Sequence, residues 1–190
     1  LKAILIEKKV PPVRDKKARE VAWTGMLFAL AIALSYLESL VSPLLGLMPA
    51  LKLGLSNIVV MYALLFLRTR TAVLLVLLKA MFAFLTRGST AGFLSLCGGV
   101  LSLIVMVVLL HLPGKVSGYI FCACGALAHN LGQLAGAALL LSSAMALGYA
   151  PVLLVAGLLV SGISYTLAKA LFAALPGSTG QQQRNSFFKN

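Results

Sequence analysis

Three polar side chains lie close together inside a long apolar run at residues 117–147. They are His129, Asn130 and Gln133, and the first and last are four residues apart, so on a helix they share one face. Polar side chains at membrane depth are costly and usually face the interior of a helix bundle. Two roles stay open for them: hydrogen bonding between helices, or contact with a small-molecule substrate.

Two ionisable side chains also fall inside apolar runs. Lys79 lies in the middle of the run at 71–86, and Glu38, in the run at 21–41, is the last carboxylate side chain in the sequence. Lys79 therefore needs a partner or a polar cavity. The alternatives are an ion pair with Glu38, a side chain that extends to one membrane interface, and contact with substrate.

Two further cations each precede a predicted helix start. Lys52 comes just before the run at 53–67, and Arg87 comes just before the run at 90–111. The first N–H groups of a helix have no intrahelical partner and attract anions. We therefore expect Lys52 and Arg87 to hold the negative end of a substrate, with ordinary loop charge as the alternative. The predicted substrate-binding residues are Lys52, Asn57, Lys79, Arg87, His129, Asn130 and Gln133.

The elements that must position these residues are membrane helices. Of the 190 residues, 61% are hydrophobic and 11% are charged, whereas a soluble domain has about 45–50% apolar and about 25% charged residues. This composition excludes a soluble enzyme, a disordered tail and a disulfide scaffold. Because a membrane helix needs roughly 20 residues, the sequence predicts an all-α bundle of six transmembrane helices. They are expected at 21–41, 53–67, 71–86, 90–111, 117–147 and 151–174.

The distribution of positive charge predicts the orientation of this bundle. The formal net charge is +12, and with the N-terminus inside, only Lys52 and Arg87 fall in outer loops. Lys79 falls within a span, and every other Lys and Arg falls on the cytoplasmic side. We therefore expect a basic cytoplasmic tail at 1–20 that attracts anionic lipid, a membrane domain at 21–175 and a cytoplasmic tail at 176–190. The charge pattern does not indicate nucleic-acid binding.

Small residues recur every four positions on two of the predicted helices. The set in the first helix is Gly25, Ala29 and Ala33, and such a face lets two helices approach closely. Either it packs inside the bundle or it docks a partner membrane protein. The fifth helix has the same pattern at Ala128, Gly132 and Gly136, which predicts close packing.

The residue types that most enzymes need are missing from the membrane domain. Magnesium-dependent prenyl or phosphoryl transfer requires paired carboxylates, but only Glu38 lies beyond residue 20. The sequence also has no nucleotide-binding loop of the Walker type. We therefore expect no catalysis by this chain alone, no cofactor and no metal.

Three segments resemble a known family: PALKLGLSN at 49–57, GFLSLCGGVLSL at 92–103 and GALAHNLGQ at 125–133. The chain resembles the Gx transporter family, also named heptaprenyl diphosphate synthase component I, over roughly 20–175. The first segment is also similar to substrate-binding S components of energy-coupling factor (ECF) transporters. Those proteins have six membrane helices and an Ala-xxx-Ala face for a membrane coupling subunit, a pattern that Ala29 and Ala33 match.

The resemblance implies a multi-pass protein of the bacterial cell membrane and leaves two functions open. One is substrate capture for uptake of a small anionic or amphipathic molecule, related to vitamins, quinones or isoprenoids, with a separate coupling subunit and ATPases. The other is a non-catalytic membrane partner of heptaprenyl diphosphate synthase in menaquinone side-chain synthesis.

Overall fold

The computed structural model describes residues 13–41, 44, 54–112 and 117–140, together with individual residues between 148 and 169. Five helices are continuous: α1 Val13–Val41, α2 Asn57–Phe66, α3 Thr69–Arg87, α4 Ser89–His111 and α5 Gly118–Leu140. The described residues between 148 and 169 are also helical. The predicted all-α fold is therefore confirmed, and the full count of six spans stays a prediction.

Three helical segments are long and apolar enough to cross a membrane: Glu20–Val41, Thr69–Arg87 and Ser89–His111. Large apolar side chains such as Leu77, Phe84 and Val108 point outward from α3 and α4, as expected of helices solvated by lipid. The α5 helix has 23 residues, enough to cross, but it carries the three polar residues noted above. The chain thus has the character of a multi-pass membrane protein.

The first helix is longer than its predicted membrane span. The candidate span Glu20–Val41 agrees with the prediction at 21–41, but the helix starts at Val13 and so extends into the segment expected to be a cytoplasmic tail. Helix-favouring Lys, Arg, Ala and Glu follow Pro11-Pro12 without another helix breaker. At 1.5 Å per residue the 29 residues span about 44 Å, and a hydrocarbon core is about 30 Å thick. The basic first turns can therefore lie outside the apolar layer.

The short helix α2 forms the centre of the bundle. Its 10 residues reach only about 15 Å, and every side chain from Ile58 to Leu64 is buried. A helix that is apolar on all sides is normally enclosed by other elements, and α2 contacts α1, α3, α4 and α5. The start of α2 therefore lies inside the protein and needs internal hydrogen-bond acceptors.

Glycines bring α4 and α5 into close contact. A Cβ atom on Gly132 would lie 2.6 Å from the Cys97 carbonyl oxygen, and one on Gly98 would lie 2.8 Å from the His129 carbonyl oxygen. Gly136 packs against Cys97 in the same seam. The predicted close-packing face of the fifth helix is therefore present, and it fixes the depth at which the α5 polar residues meet α4.

We predict that Gly132→Ala destabilises the protein by about 1–3 kcal/mol, because the new methyl group overpacks this seam. The matched control is Gly25→Ala, since an added Cβ there meets no described atom within 4 Å. Thermal unfolding in detergent should show a lower Tm for Gly132→Ala only. Equal Tm values for both variants would show that the contact between α4 and α5 accepts an added methyl group without loss of stability.

Candidate functional site

Buried polar side chains collect at one end of the bundle, where α1 and α3 end and α2 and α4 begin. All five helices contribute to this region or to the layer directly below it. The buried polar residues of this region are Glu38, Ser56, Asn57, Lys79, Ser102, His129, Asn130 and Gln133, whereas Thr71 is buried near the opposite end of α3. Such a concentration inside an apolar bundle is expensive unless it serves binding or specific helix association.

The Glu38 carboxylate holds the start of α2. Its Oε1 atom accepts hydrogen bonds from the backbone N–H groups of Gly54 and Leu55, the latter at 2.9 Å. The Glu38 side chain has no exposed surface. The turn before α2, where the sequence predicted part of an anion site, is therefore bound by an internal carboxylate, and the N–H groups of Asn57 and Ile58 donate to the carbonyl oxygens of Gly54 and Leu55.

Gly54 brings this turn against the polar face of α5. Its φ angle is +96°, a conformation that favours glycine, and an added Cβ would lie 3.0 Å from His129 Cδ2 and 3.7 Å from Asn130 Oδ1. Sequence reasoning did not single out Gly54 as a site residue. Its position in the first turn of the helix predicted at 53–67 was the available signal.

His129 and Gln133 form a hydrogen-bonded pair on α5. Gln133 Nε2 lies 2.7 Å from His129 Nε2, and both side chains are almost fully buried. Since an amide nitrogen only donates, His129 Nε2 accepts, and the ring is neutral with its proton on Nδ1. The expected shared face of these two residues is confirmed.

Asn57 is the first residue of α2, and its side chain takes part in a hydrogen-bonded relay between helices. Its Nδ2 atom donates to Ser102 Oγ at 2.6 Å, and Ser102 Oγ donates to the Gly125 carbonyl oxygen at 2.7 Å. This relay joins α2, α4 and α5. Asn57 thus contributes to helix association, and it does not line the cavity described next.

Lys79 and Arg87 both reach the interior from α3. The Lys79 side chain is only 8% exposed and its Nζ atom is buried, so it does not extend to a membrane interface. Arg87 is partly exposed, but its Nη1 atom is buried and has no hydrogen-bond partner among the described residues.

A small cavity lies between the five helices at this level. Its volume is about 20 Å³, which is room for roughly one water molecule. Lys79, Arg87, His129 and Gln133 line it, and α1, α2 and α4 contribute the serine residues Ser35, Ser56 and Ser95. Two cations and several uncharged hydrogen-bonding groups therefore converge on one point.

The structure brings together most of the predicted substrate-binding residues. Asn130 is buried beside the cavity-lining pair, whereas Lys52 lies outside the described residues. The small residues Gly25, Ala29 and Ala33 lie on an exposed face of α1, away from the cavity. The roles of Glu38 and of the three serines were not identified from the sequence, because only the fold brings them to this point.

We predict that Glu38→Ala destabilises the protein by about 2–5 kcal/mol, because two buried N–H groups lose their acceptor. Glu38→Gln keeps a carbonyl oxygen that can accept from Gly54 and Leu55, so it should cost much less. Thermal unfolding of both variants in detergent measures the difference. If both variants unfold alike, the carboxylate does not hold the start of α2.

Comparison with known proteins places the chain in a family. No curated protein and no solved structure matches it. A family model described as heptaprenyl diphosphate synthase component I matches residues 27–171, well over half of the chain. The match covers α2 to α5, about half of α1 and all the cavity-lining residues. The chain belongs to the heptaprenyl diphosphate synthase component I family.

Proposed function

We propose that the protein is the substrate-binding membrane subunit of an ECF-type uptake transporter in a bacterial cell membrane. It would bind a small anionic or amphipathic molecule. The observation that carries the proposal is the polar cavity, where Lys79 and Arg87 meet the His129–Gln133 pair inside an apolar bundle. Ionisable residues at membrane depth most often mark a substrate or ion pathway.

A purely structural role explains this cluster less well. Buried charges seldom stabilise a fold more than apolar residues of similar volume would. Hydrogen bonds that join the helices are already supplied nearby by Asn57 and Ser102. The buried Arg87 Nη1 atom lacks a hydrogen-bond partner among the described residues, as expected of a donor that binds a ligand.

Transport by such a subunit would depend on other proteins. The sequence has no nucleotide-binding motif, so energy would come from separate ATPases through a membrane coupling subunit. The exposed face of α1 formed by Gly25, Ala29 and Ala33 is the proposed docking surface. Small side chains there would allow a partner helix to approach closely.

The family description favours a second function. Its members are described as component I of heptaprenyl diphosphate synthase, so this chain could be a non-catalytic membrane partner of a soluble prenyl synthase. The basic first turns of α1, which follow Pro11-Pro12, would then be the docking element for the enzyme or for anionic lipid. The cavity would have no essential role in this function.

We predict that Ala29→Leu leaves the Tm unchanged but prevents assembly with a coupling subunit, because the larger side chain keeps the partner helix away. Ala135→Leu is the matched control, since Ala135 is also an exposed alanine but lies on α5. The measurement is copurification of coupling subunit and ATPases with each tagged variant from native membranes.

The copurified proteins separate the two functions. A coupling subunit bound by the parent protein and by Ala135→Leu, but not by Ala29→Leu, supports the transporter proposal. A soluble prenyl synthase in place of the coupling subunit would support the second function and contradict the first.

A further inference from the structure

The cavity has a positive formal charge. Lys79 and Arg87 each contribute one positive charge, and Glu38 is the one carboxylate among the described residues of this region. His129 is neutral, because its Nε2 atom accepts from Gln133. The described groups therefore leave one net positive charge at membrane depth, where an uncompensated charge is costly. One negative charge from a ligand would balance it.

The size of the cavity limits which anionic group can enter. About 20 Å³ matches a group near the size of a water molecule, such as a halide ion, or one carboxylate after small movements of the walls. The hydroxyl groups of Ser56 and Ser95 and the Gln133 amide offer uncharged hydrogen bonds around it. A phosphate with four oxygens would require much larger movements.

Glu38 adds an electrostatic barrier to a second negative charge. Its carboxylate is fixed on the start of α2 by two backbone N–H groups, and it acts electrostatically on Arg87. Ser56, which lines the cavity, is the residue directly after the Leu55 that binds Glu38. A doubly charged group would therefore face a fixed like charge at short range.

We propose that the cavity binds a single compact monovalent anionic group and discriminates against phosphate and diphosphate. The inference rests on the proposed substrate-binding function and specifies its ligand as a monoanion, with the rest of the molecule outside the cavity. Lys79 and Arg87 provide the attraction, and Glu38 sets the limit of one charge.

The test uses thermal unfolding of the full chain in detergent with small anions as probes. Sodium bromide and sodium formate are compared with sodium phosphate and sodium diphosphate, and sodium methanesulfonate, a monoanion whose three-oxygen group is larger than a carboxylate, keeps the ionic strength constant. At saturating probe concentration we expect bromide or formate to raise the Tm by about 2–6 °C over methanesulfonate. Phosphate and diphosphate should give no such increase. The two active probes also distinguish a halide site from a carboxylate site.

Variants test whether the increase in Tm depends on the cavity. Lys79→Met keeps the side-chain length without the charge and should abolish the shift, and Arg87→Gln serves the same purpose if Lys79→Met does not fold. Arg68→Gln removes an exposed cation between α2 and α3 and should keep the shift. Glu38→Gln should keep the shift with bromide or formate, or increase it, because it removes a like charge near the cavity.

The same shift for all anions, a shift that persists in Lys79→Met, or no shift with either small monoanion would overturn the proposal. Such results would leave the transporter function standing, because assembly with a coupling subunit is measured independently. Loss of assembly together with a normal monoanion shift would instead contradict the proposed function and keep the anion site.

Discussion

The hydrogen bonds from Gly54 and Leu55 to the buried Glu38 carboxylate are the interaction on which the site depends. The turn before a helix that starts inside an apolar bundle has N–H groups largely shielded from water, and each such group costs about 1–3 kcal/mol without an acceptor. Glu38 supplies that acceptor from α1. In return, the two N–H groups and the positive end of the α2 dipole offset part of the desolvation cost of the carboxylate.

Close packing then places this turn and the polar residues of α5 around one cavity. The glycine at 54 lets the turn rest on His129 and Asn130, and the glycines of α4 and α5 hold these side chains at the same depth as Lys79. The contacts at Gly98 and Gly132 exclude a side chain larger than hydrogen. The cavity is therefore small because the helices around it approach as closely as their backbones allow, and a bound ligand must either fit that space or separate the helices.

Sequence reasoning identified the polar side chains of the site better than it identified their partners. His129, Gln133, Lys79 and Arg87 stand out because polar residues are rare in apolar runs, and the fold does bring them together. The relay from Asn57 through Ser102 to the Gly125 carbonyl could not be predicted, since serine and backbone oxygen carry no distinctive spacing. The partners of Glu38 are backbone N–H groups of the turn at Gly54 and Leu55, which helical periodicity does not report. The extension of α1 back to Val13 was also not predicted. Charged residues end a membrane span, but they can continue the helix beyond it.

The central claim is that the cavity at the start of α2 binds a ligand through Lys79. Native mass spectrometry of protein gently extracted from its own membranes tests it most directly, with the parent protein, Lys79→Met and Arg68→Gln measured side by side. The account predicts a small molecule retained by the parent and by Arg68→Gln, and absent from Lys79→Met. A molecule retained equally by all three, or by none of them, would contradict it.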